Sequence, residues 1–299
     1  MLYDVILKIS YEYEYAATGG RHLLRLMPAH IEGRQHLITG YLDIKPRPNE
    51  RTDNYDAFNN AVSHVVYYSD HPEISFNLKA RVECLPQNSG LNMSPNLTGL
   101  RTELSSINSL APDSPYHYLG NSPRVTINAA MTAFAYTHTN DQMDAISVVE
   151  SIGMALHREM TFDPDATTVE TSAEEAFEKR TGVCQDYTHI MISCLRGIGI
   201  PAGYVSGFIR TIPPEGTERL EGADAMHAWV RAWCGIENGW IEFDPTNAMF
   251  INTDHIVVAY GRDYSDIAPV KGVLKTYGEQ NTTQAVDIIP VKSNGVNNL

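Results

Sequence analysis

Cysteine is scarce in this chain. It has 4 in 299 residues, at Cys84, Cys184, Cys194 and Cys234, with no CxxC and no short paired spacing. That weighs against a zinc ribbon and against a secreted disulfide framework. Basic residues are scarce too: 22 Lys+Arg face 36 Asp+Glu, a net charge of −14. A chain this acidic has the wrong sign for phosphate backbones and anionic lipid, so neither nucleic acid nor membrane is expected as a partner. No apolar run approaches the roughly 20 residues that span a bilayer. The start, Met1-Leu2-Tyr3-Asp4-Val5, has no basic stretch leading into an apolar one, so no signal peptide is read there and a cytoplasmic location is expected. The hydrophobic fraction of 43% and charged fraction of 19% are those of a globular protein rather than a disordered one. The length suits two domains.

What is present divides the chain into parts. Residues 2–15 alternate with period two: Tyr3, Val5, Leu7, Ile9, Tyr11, Tyr13 and Tyr15 fall on one face. Ile74, Phe76, Leu78, Ala80, Val82 and Cys84 alternate in the same way. Together with strand-like stretches at Gln35–Ile44 and Val62–Tyr68, split by a Pro/Asn-rich turn near Pro46–Asn54, they predict an antiparallel β-domain. Residues 86–123 are rich in Pro, Ser and Asn and read as an irregular connection. Then the period changes. Ala145–Met160 has the spacing of an amphipathic helix. Ser172 and Glu175 have capping-box spacing and open a short helix that stops near Gly182. A third helix starts near Cys184, with Ile190, Met191, Cys194, Leu195 and Ile198 on one face, and ends at Gly197–Pro201. Strands follow at Gly203–Arg210, Met226–Trp233, Trp240–Phe243 and Ile256–Tyr260. The fold class is therefore α+β: an N-terminal antiparallel β-domain over 1–123, an α+β core over 124–290 and a frayed tail at 291–299.

The residues that suggest chemistry are Cys184, His227 and Asp244. Cys184 stands where a helix begins. A helix N-terminus has unpaired backbone N–H groups and partial positive charge, which favour a thiolate over a thiol and suit an oxyanion. His227 lies in the strand Met226-His227-Ala228-Trp229-Val230, which would hold a base rigidly. Asp244 follows the strand Trp240–Phe243. The 17 residues from His227 to Asp244 fit a hairpin turning at Glu237-Asn238-Gly239, which sets the two side by side. A nucleophile, a base and an acid on three elements satisfy the logic of a triad. Asp186 and His189, three apart on one helix face, are expected to bond within the helix. The three tryptophans, Trp229, Trp233 and Trp240, cluster near these residues and either line a substrate groove or fill the core.

The segments Thr181-Gly182-Val183-Cys184-Gln185-Asp186-Tyr187, His227-Ala228-Trp229 and Asp244-Pro245-Thr246-Asn247 resemble the core motifs of transglutaminase-like proteins. Gly199-Ile200-Pro201-Ala202 and Gly261-Arg262-Asp263-Tyr264 extend the resemblance. With Leu24-Arg25-Leu26 and Asp56-Ala57-Phe58-Asn59-Asn60 in the first domain, the chain looks like the bacterial two-domain branch of that superfamily. The resemblance implies a papain-like core with Cys184 as nucleophile, His227 as general base and acid, and Asp244 as the residue that orients the imidazole. It implies cysteine-based acyl transfer at amide bonds through a thioester, on a peptide or protein substrate. A peptidase or amidohydrolase is the leading reading. A protein-glutamine γ-glutamyltransferase and a non-catalytic binding module are the alternatives.

Trp229 and Gln185 are the substrate-binding candidates. Papain-like enzymes often place a Gln six residues before the nucleophile as an oxyanion donor; here that residue is Glu178, an anion. The backbone N–H of Cys184 is then the first donor, and the Gln185 amide a candidate for the second. No Asp-x-Asp-x-Asp-Gly loop occurs, so no metal or other cofactor is expected.

Overall fold

The structure is a computed structural model that describes residues 1–87, 90–211, 222 and 224–291. In chain order its elements are β1 (Leu2–Leu24), β2 (Gln35–Lys45), β3 (Glu50–Tyr55), β4 (Ala61–Tyr67), β5 (His71–Cys84), α1 (Leu97–Ser106), a 3₁₀ turn at Pro115–Tyr118, α2 (Ala129–Thr137), α3 (Ala145–Glu159) and β6 (Thr161–Phe162). There follow α4 (Ala173–Lys179), β7 (Thr181–Gly182), α5 (Cys184–Gly197), β8 (Ala202–Ile209), β9 (Ala225–Trp233), β10 (Trp240–Asp244), β11 (Met249–Phe250), β12 (His255–Gly261), α6 (Tyr264–Ile267), β13 (Val270–Lys275) and β14 (Gln280–Pro290). No helix among the described residues is long and apolar enough to cross a membrane.

The N-terminal region is a seven-stranded antiparallel sheet organised on β1. The alternation read from the sequence holds from Tyr3 to Tyr13, whose odd positions are buried or half-buried. It fails at Tyr15, which is exposed, because the register of β1 shifts between Glu12 and Ala17. That break lets one long strand serve two sets of partners. Its first half pairs with β5 and β14, and its second half with β4 and β13.

Both C-terminal strands thus belong to the N-terminal sheet. The boundaries 124–290 for the core and 1–123 for the β-domain are corrected accordingly. The reason is visible in β14: among its residues only Val286 and Ile288 are buried, so it has almost no apolar pattern to declare its partner. The tail beyond residue 291 lies outside the described residues. The connection at 86–123 also contains more order than its composition suggests. Asn96 caps α1 by accepting the Gly99 N–H at 3.0 Å, and Leu100, Leu104 and Tyr118 are buried. Its Asn and Ser content is partly cap chemistry. β3, read as a turn, is wholly exposed and shows no period.

The second region is a five-stranded antiparallel sheet in the order β11-β10-β9-β8-β12, with α5 against it. The sequence suggested one apolar face on α5. In fact every residue from Gln185 to Arg196 is buried, with α2, α3 and α4 packed around the helix. Its polar residues are buried because each has a partner. Ser193 Oγ donates to Thr126 O at 2.8 Å, and Arg196 donates to Ala202 O, Gly120 O and Arg262 O at 3.0, 2.9 and 2.7 Å.

The face with Trp229 meets the N-terminal region. Ala29 and Ile31 pack against Val205, Trp229 and Val257. Gln35 acts as a backbone surrogate there: it donates to Ala29 O and Val257 O and accepts the Val257 N–H, each at 2.8 Å. The Arg34 guanidinium forks onto buried Glu242 of β10. The two regions are thereby joined by polar contacts on strands next to the site.

Candidate active site

The site assembles at the start of α5. Immediately before it, β7 pairs in parallel with β6, which fixes Thr181 and Gly182 in an extended path. The helix then starts abruptly. Asp186 folds back and accepts the Val183 N–H at 2.8 Å and the Thr167 hydroxyl at 2.7 Å. A Cβ at residue 182 would stand 2.6 Å from the Asp186 carboxylate, so this close return requires glycine. Cys184 is the first residue of the helix and half-buried. Its backbone N–H meets no acceptor among the described residues, as helix geometry dictates for that position.

His227 and Asp244 come together by the hairpin of β9 and β10, which pairs Trp233 with Trp240 and Val230 with Phe243. His227 Nε2 donates to Asp244 Oδ2 at 2.7 Å, and both side chains are almost fully buried. The Cys184 side chain neighbours the same imidazole and favours its charged form. With Nε2 committed to Asp244, Nδ1 is the nitrogen left for sulfur. Burial by itself would push the His227 pKa down; Asp244 and Cys184 together outweigh it and raise it to about 10. Asp244 shows the mirror effect. Burial raises a carboxyl pKa, but donors from His227, His255 and Asn247 hold Asp244 well below the usual carboxylate range.

Of the three residues singled out by spacing, His227 and Asp244 are in direct contact, and Cys184 acts on the same imidazole. The other cysteines do not join them. Cys84, Cys194 and Cys234 are buried, and burial pushes each thiol pKa up, that of Cys84 to about 11.

Two expectations need correction. Trp229 is wholly buried and does not line a substrate groove. Its indole Nε1 donates to Glu242 Oε2 at 2.6 Å, and its ring lies over Gly207, where a Cβ would come within 2.4 Å of it. It packs beside the imidazole of His227, ring centroids 6.0 Å apart, and so braces the site from within the core. Gln185 is also buried, and its amide donates to Val169 O at 3.3 Å. It tethers the chain before α4 and is not presented at the sulfur.

Trp233 is buried as well. Trp240 is held by its N–H on Asp113 O at 3.0 Å and by the Arg231 guanidinium 4.2 Å from its ring centre. Glu178 is exposed on α4. Asp186 and His189 do not bond each other. His189 Nε2 accepts the Tyr264 N–H at 3.2 Å, and burial pushes its pKa down to about 4. This binds α5 to the segment Gly261-Arg262-Asp263-Tyr264, whose buried Asp263 accepts the Arg124 N–H at 2.7 Å.

Two residues at the site were not assigned from sequence. Asn247 was visible within the motif that starts at Asp244, and its side chain donates to Asp244 Oδ2 at 2.7 Å. His255, at the start of β12, reaches the same oxygen with Nε2 at 3.2 Å. Only its place next to a strand of Ile and Val gave any signal. The ligand-type atoms of His227, Asp244 and His255 lie within 4.8 Å of one another. Their N···O separations are hydrogen-bond lengths, and protons fill the space a cation would need. The donor set fits a proton network better than a metal site.

Comparison with known proteins identifies the family. Residues 132–245 match the core of the transglutaminase-like superfamily, and residues 3–83 match the bacterial transglutaminase-like N-terminal region. The chain belongs to the transglutaminase-like superfamily, in the bacterial form that has an N-terminal β-domain. An uncharacterized protein of Mycobacterium tuberculosis is 29% identical over 98% of this chain and 94% of its own length. One from Mycobacterium leprae is 29% identical over 95% of this chain and 97% of its own. Among solved structures, a Cytophaga hutchinsonii protein named as a candidate cysteine protease has a TM-score of 0.76 at 19% identity, covering 98% of this chain and 92% of that one. That likeness is one of fold.

Proposed function

We propose that this protein is a cysteine amidohydrolase acting on peptides, with Cys184 as nucleophile, His227 as proton carrier and Asp244 as the residue that orients the imidazole. One observation supports this above all: a single buried imidazole is hydrogen-bonded to Asp244 at 2.7 Å, and its pKa is raised by Asp244 together with Cys184, the first residue of α5. Sulfur and imidazole share a proton as thiolate and imidazolium, with the helix N-terminus and Asp244 stabilising the two charges. The thiolate attacks a carboxamide carbon, and the C–S bond forms. The oxyanion is held by the Cys184 backbone N–H. His227 gives its proton to the departing nitrogen as the C–N bond breaks, leaving a thioester. Water then adds, His227 takes a proton from it, and the sulfur leaves as thiolate.

Hydrolysis is preferred over transfer to an amine on a physical ground. An amine must outcompete bulk water, which requires a second binding surface beside the thioester. Trp229 and Trp233, the tryptophans in and just after the His227 motif, are spent in the core.

The test is selective alkylation of the purified protein by iodoacetamide at mildly acid pH, followed by turnover of glutamine peptides in the presence of a fluorescent primary amine. Cys184 is expected to react much faster than Cys84, Cys194 or Cys234, and peptide hydrolysis to exceed amine incorporation. Equal sluggishness of all four thiols would favour a binding module. Incorporation outrunning hydrolysis would favour a transglutaminase. Cys184→Ala is expected to abolish turnover and leave the protein folded; retained turnover would remove Cys184 from the mechanism.

A further inference from the structure

Asp244 is shared by two histidines that reach it from different strands. β12 lies three strands away from β10 in the sheet order. The contact between His255 and Asp244 is therefore not a by-product of strand pairing. It arises where the chain leaves β10, turns through β11 and returns to open β12 with His255. The ring is buried, and Trp229 stands edge-on to it at 5.3 Å between centroids.

The hydrogen bonds around this ring give it one direction. The Asn252 backbone N–H donates to His255 Nδ1 at 3.3 Å, which suits a neutral ring. Asn252 Oδ1 lies 3.2 Å from the same nitrogen and would accept its proton if the ring were charged. In both forms Nε2 carries a hydrogen, and Asp244 Oδ2 is its acceptor. The other carboxylate oxygen accepts the backbone N–H groups of Thr246 and Asn247 at 2.9 and 3.2 Å. Together with His227 and the Asn247 amide, five donors surround the carboxylate, and rotation about its Cβ–Cγ bond would break contacts on both oxygens.

We propose that His255 is a positioning residue for the Asp244–His227 pair. Its Nε2–H pins Asp244 Oδ2 so that His227 is held with Nδ1 towards Cys184. This rests on the triad reading above. His255 touches neither the sulfur nor the substrate; it acts through the carboxylate, in the way outer hydrogen bonds orient inner ligands at metal centres. The charged and titratable groups gathered here are Asp244 from β10, His227 from β9 and, through His227, Cys184 from α5. Trp229, Asn247 and Asn252, which also contact these side chains, do not titrate.

The experiment compares wild type, His255→Gln and His255→Asn. A glutamine amide reaches the place of Nε2 and can still donate to Asp244. An asparagine amide reaches only the place of Nδ1 and loses that contact at little change in polarity. The readout is the rate of Cys184 alkylation by iodoacetamide as a function of pH, with circular dichroism to verify folding. His255→Gln is expected to stay within about threefold of wild type, and His255→Asn to react about 10- to 100-fold more slowly, the range for losing a hydrogen bond to a charged group. The acid limb of the His255→Asn profile should also move to higher pH, because a less well-held imidazolium stabilises the thiolate less. A space-filling role would change thermal stability and leave the profile of the folded protein where it was. That result, with a fast wild-type Cys184, would overturn the inference alone. A wild-type Cys184 no faster than the other three thiols would overturn the triad reading and this inference with it. Should His255→Asn not fold, the wild-type protein decides by ¹⁵N NMR. A proton on His255 Nε2 supports the inference; one on Nδ1 alone leaves nothing to donate to Asp244 and ends it.

Discussion

His227 and His255 are buried on either side of Asp244, whereas His22 and His71 are buried in the N-terminal sheet with no carboxylate bonded to them among the described residues. In the second pair both Nε2 atoms are buried without a hydrogen-bond partner. The consequences are opposite. Burial, with His71 adding a smaller contribution, pushes the His22 pKa down to about 4, while His227, equally enclosed, is raised to about 10. Enclosure alone makes an imidazole a poor base. One fixed carboxylate and a neighbouring sulfur turn it into a proton holder. What distinguishes the core from the N-terminal sheet is thus the acid built beside the ring.

Removing that acid is the strongest way to break the contrast. Asp244→Ala leaves His227 and His255 buried without a bonded carboxylate, as His22 is now. The pKa of His227 should fall and the thiolate–imidazolium pair should weaken. Alkylation of Cys184 is expected to slow by about 100-fold or more, the loss of at least one charge-assisted hydrogen bond from a preorganised pair. An unchanged rate would mean that sulfur and helix suffice without the carboxylate.

The sequence announced this acid and not its full surroundings, for a reason that applies to the whole molecule. Cys184, His227 and Asp244 were legible because a helix start, a strand and a hairpin are local features, and the spacing of 17 residues sets two of them together. His255 was not, since its contact to Asp244 depends on the return of the chain after β11. The same holds for the fold. Tyr3 to Tyr13 and Ile74 to Cys84 declare their strands by period, whereas β14 finds its place beside β1 through backbone pairing with little buried side chain. The choice between groove and core for Trp229 is not legible in the sequence, because nearness to a reactive histidine says nothing about which side of a strand meets solvent. Burial of all sides of α5, polar residues included, was hidden for a like reason: the partners of Ser193 and Arg196 come from segments 6 to 76 residues away.

A second test asks whether the two regions are energetically separable. Glu242 is buried in the strand that ends in Asp244. Burial would raise its pKa, but the Arg34 guanidinium, chiefly, keeps it low, with the Trp229 N–H helping. Arg34→Met removes the bonded cation and leaves the carboxylate buried with Trp229 and Tyr260 as its side-chain donors among the described residues. The expected loss is about 3 kcal/mol in urea-unfolding stability, the usual cost of stranding one member of a buried pair. Cys184 alkylation in the folded protein should change far less than in Asp244→Ala. If stability is unaffected, the contact between Arg34 and Glu242 is incidental to the joining of the regions.

The smallest effect concerns His22 itself, and its sign follows from the two pKa values. Its folded value of about 4 lies below the ordinary 6.5. Between those values the unfolded chain binds the proton and the folded chain does not, so stability falls as pH is lowered from 6.5 to 4 and levels off below. His227 has the reverse sign. Its contribution is full below pH 6.5 and is lost as pH rises towards 10. His22→Leu should therefore flatten the acid arm of a plot of urea midpoint against pH while leaving the alkaline arm in place. The flattening is partial, because His189 is also depressed to about 4 and titrates over the same range. An acid arm as steep as that of wild type would show that His22 is not held neutral by the fold, and the contrast between the two buried pairs would then rest on hydrogen-bond geometry alone.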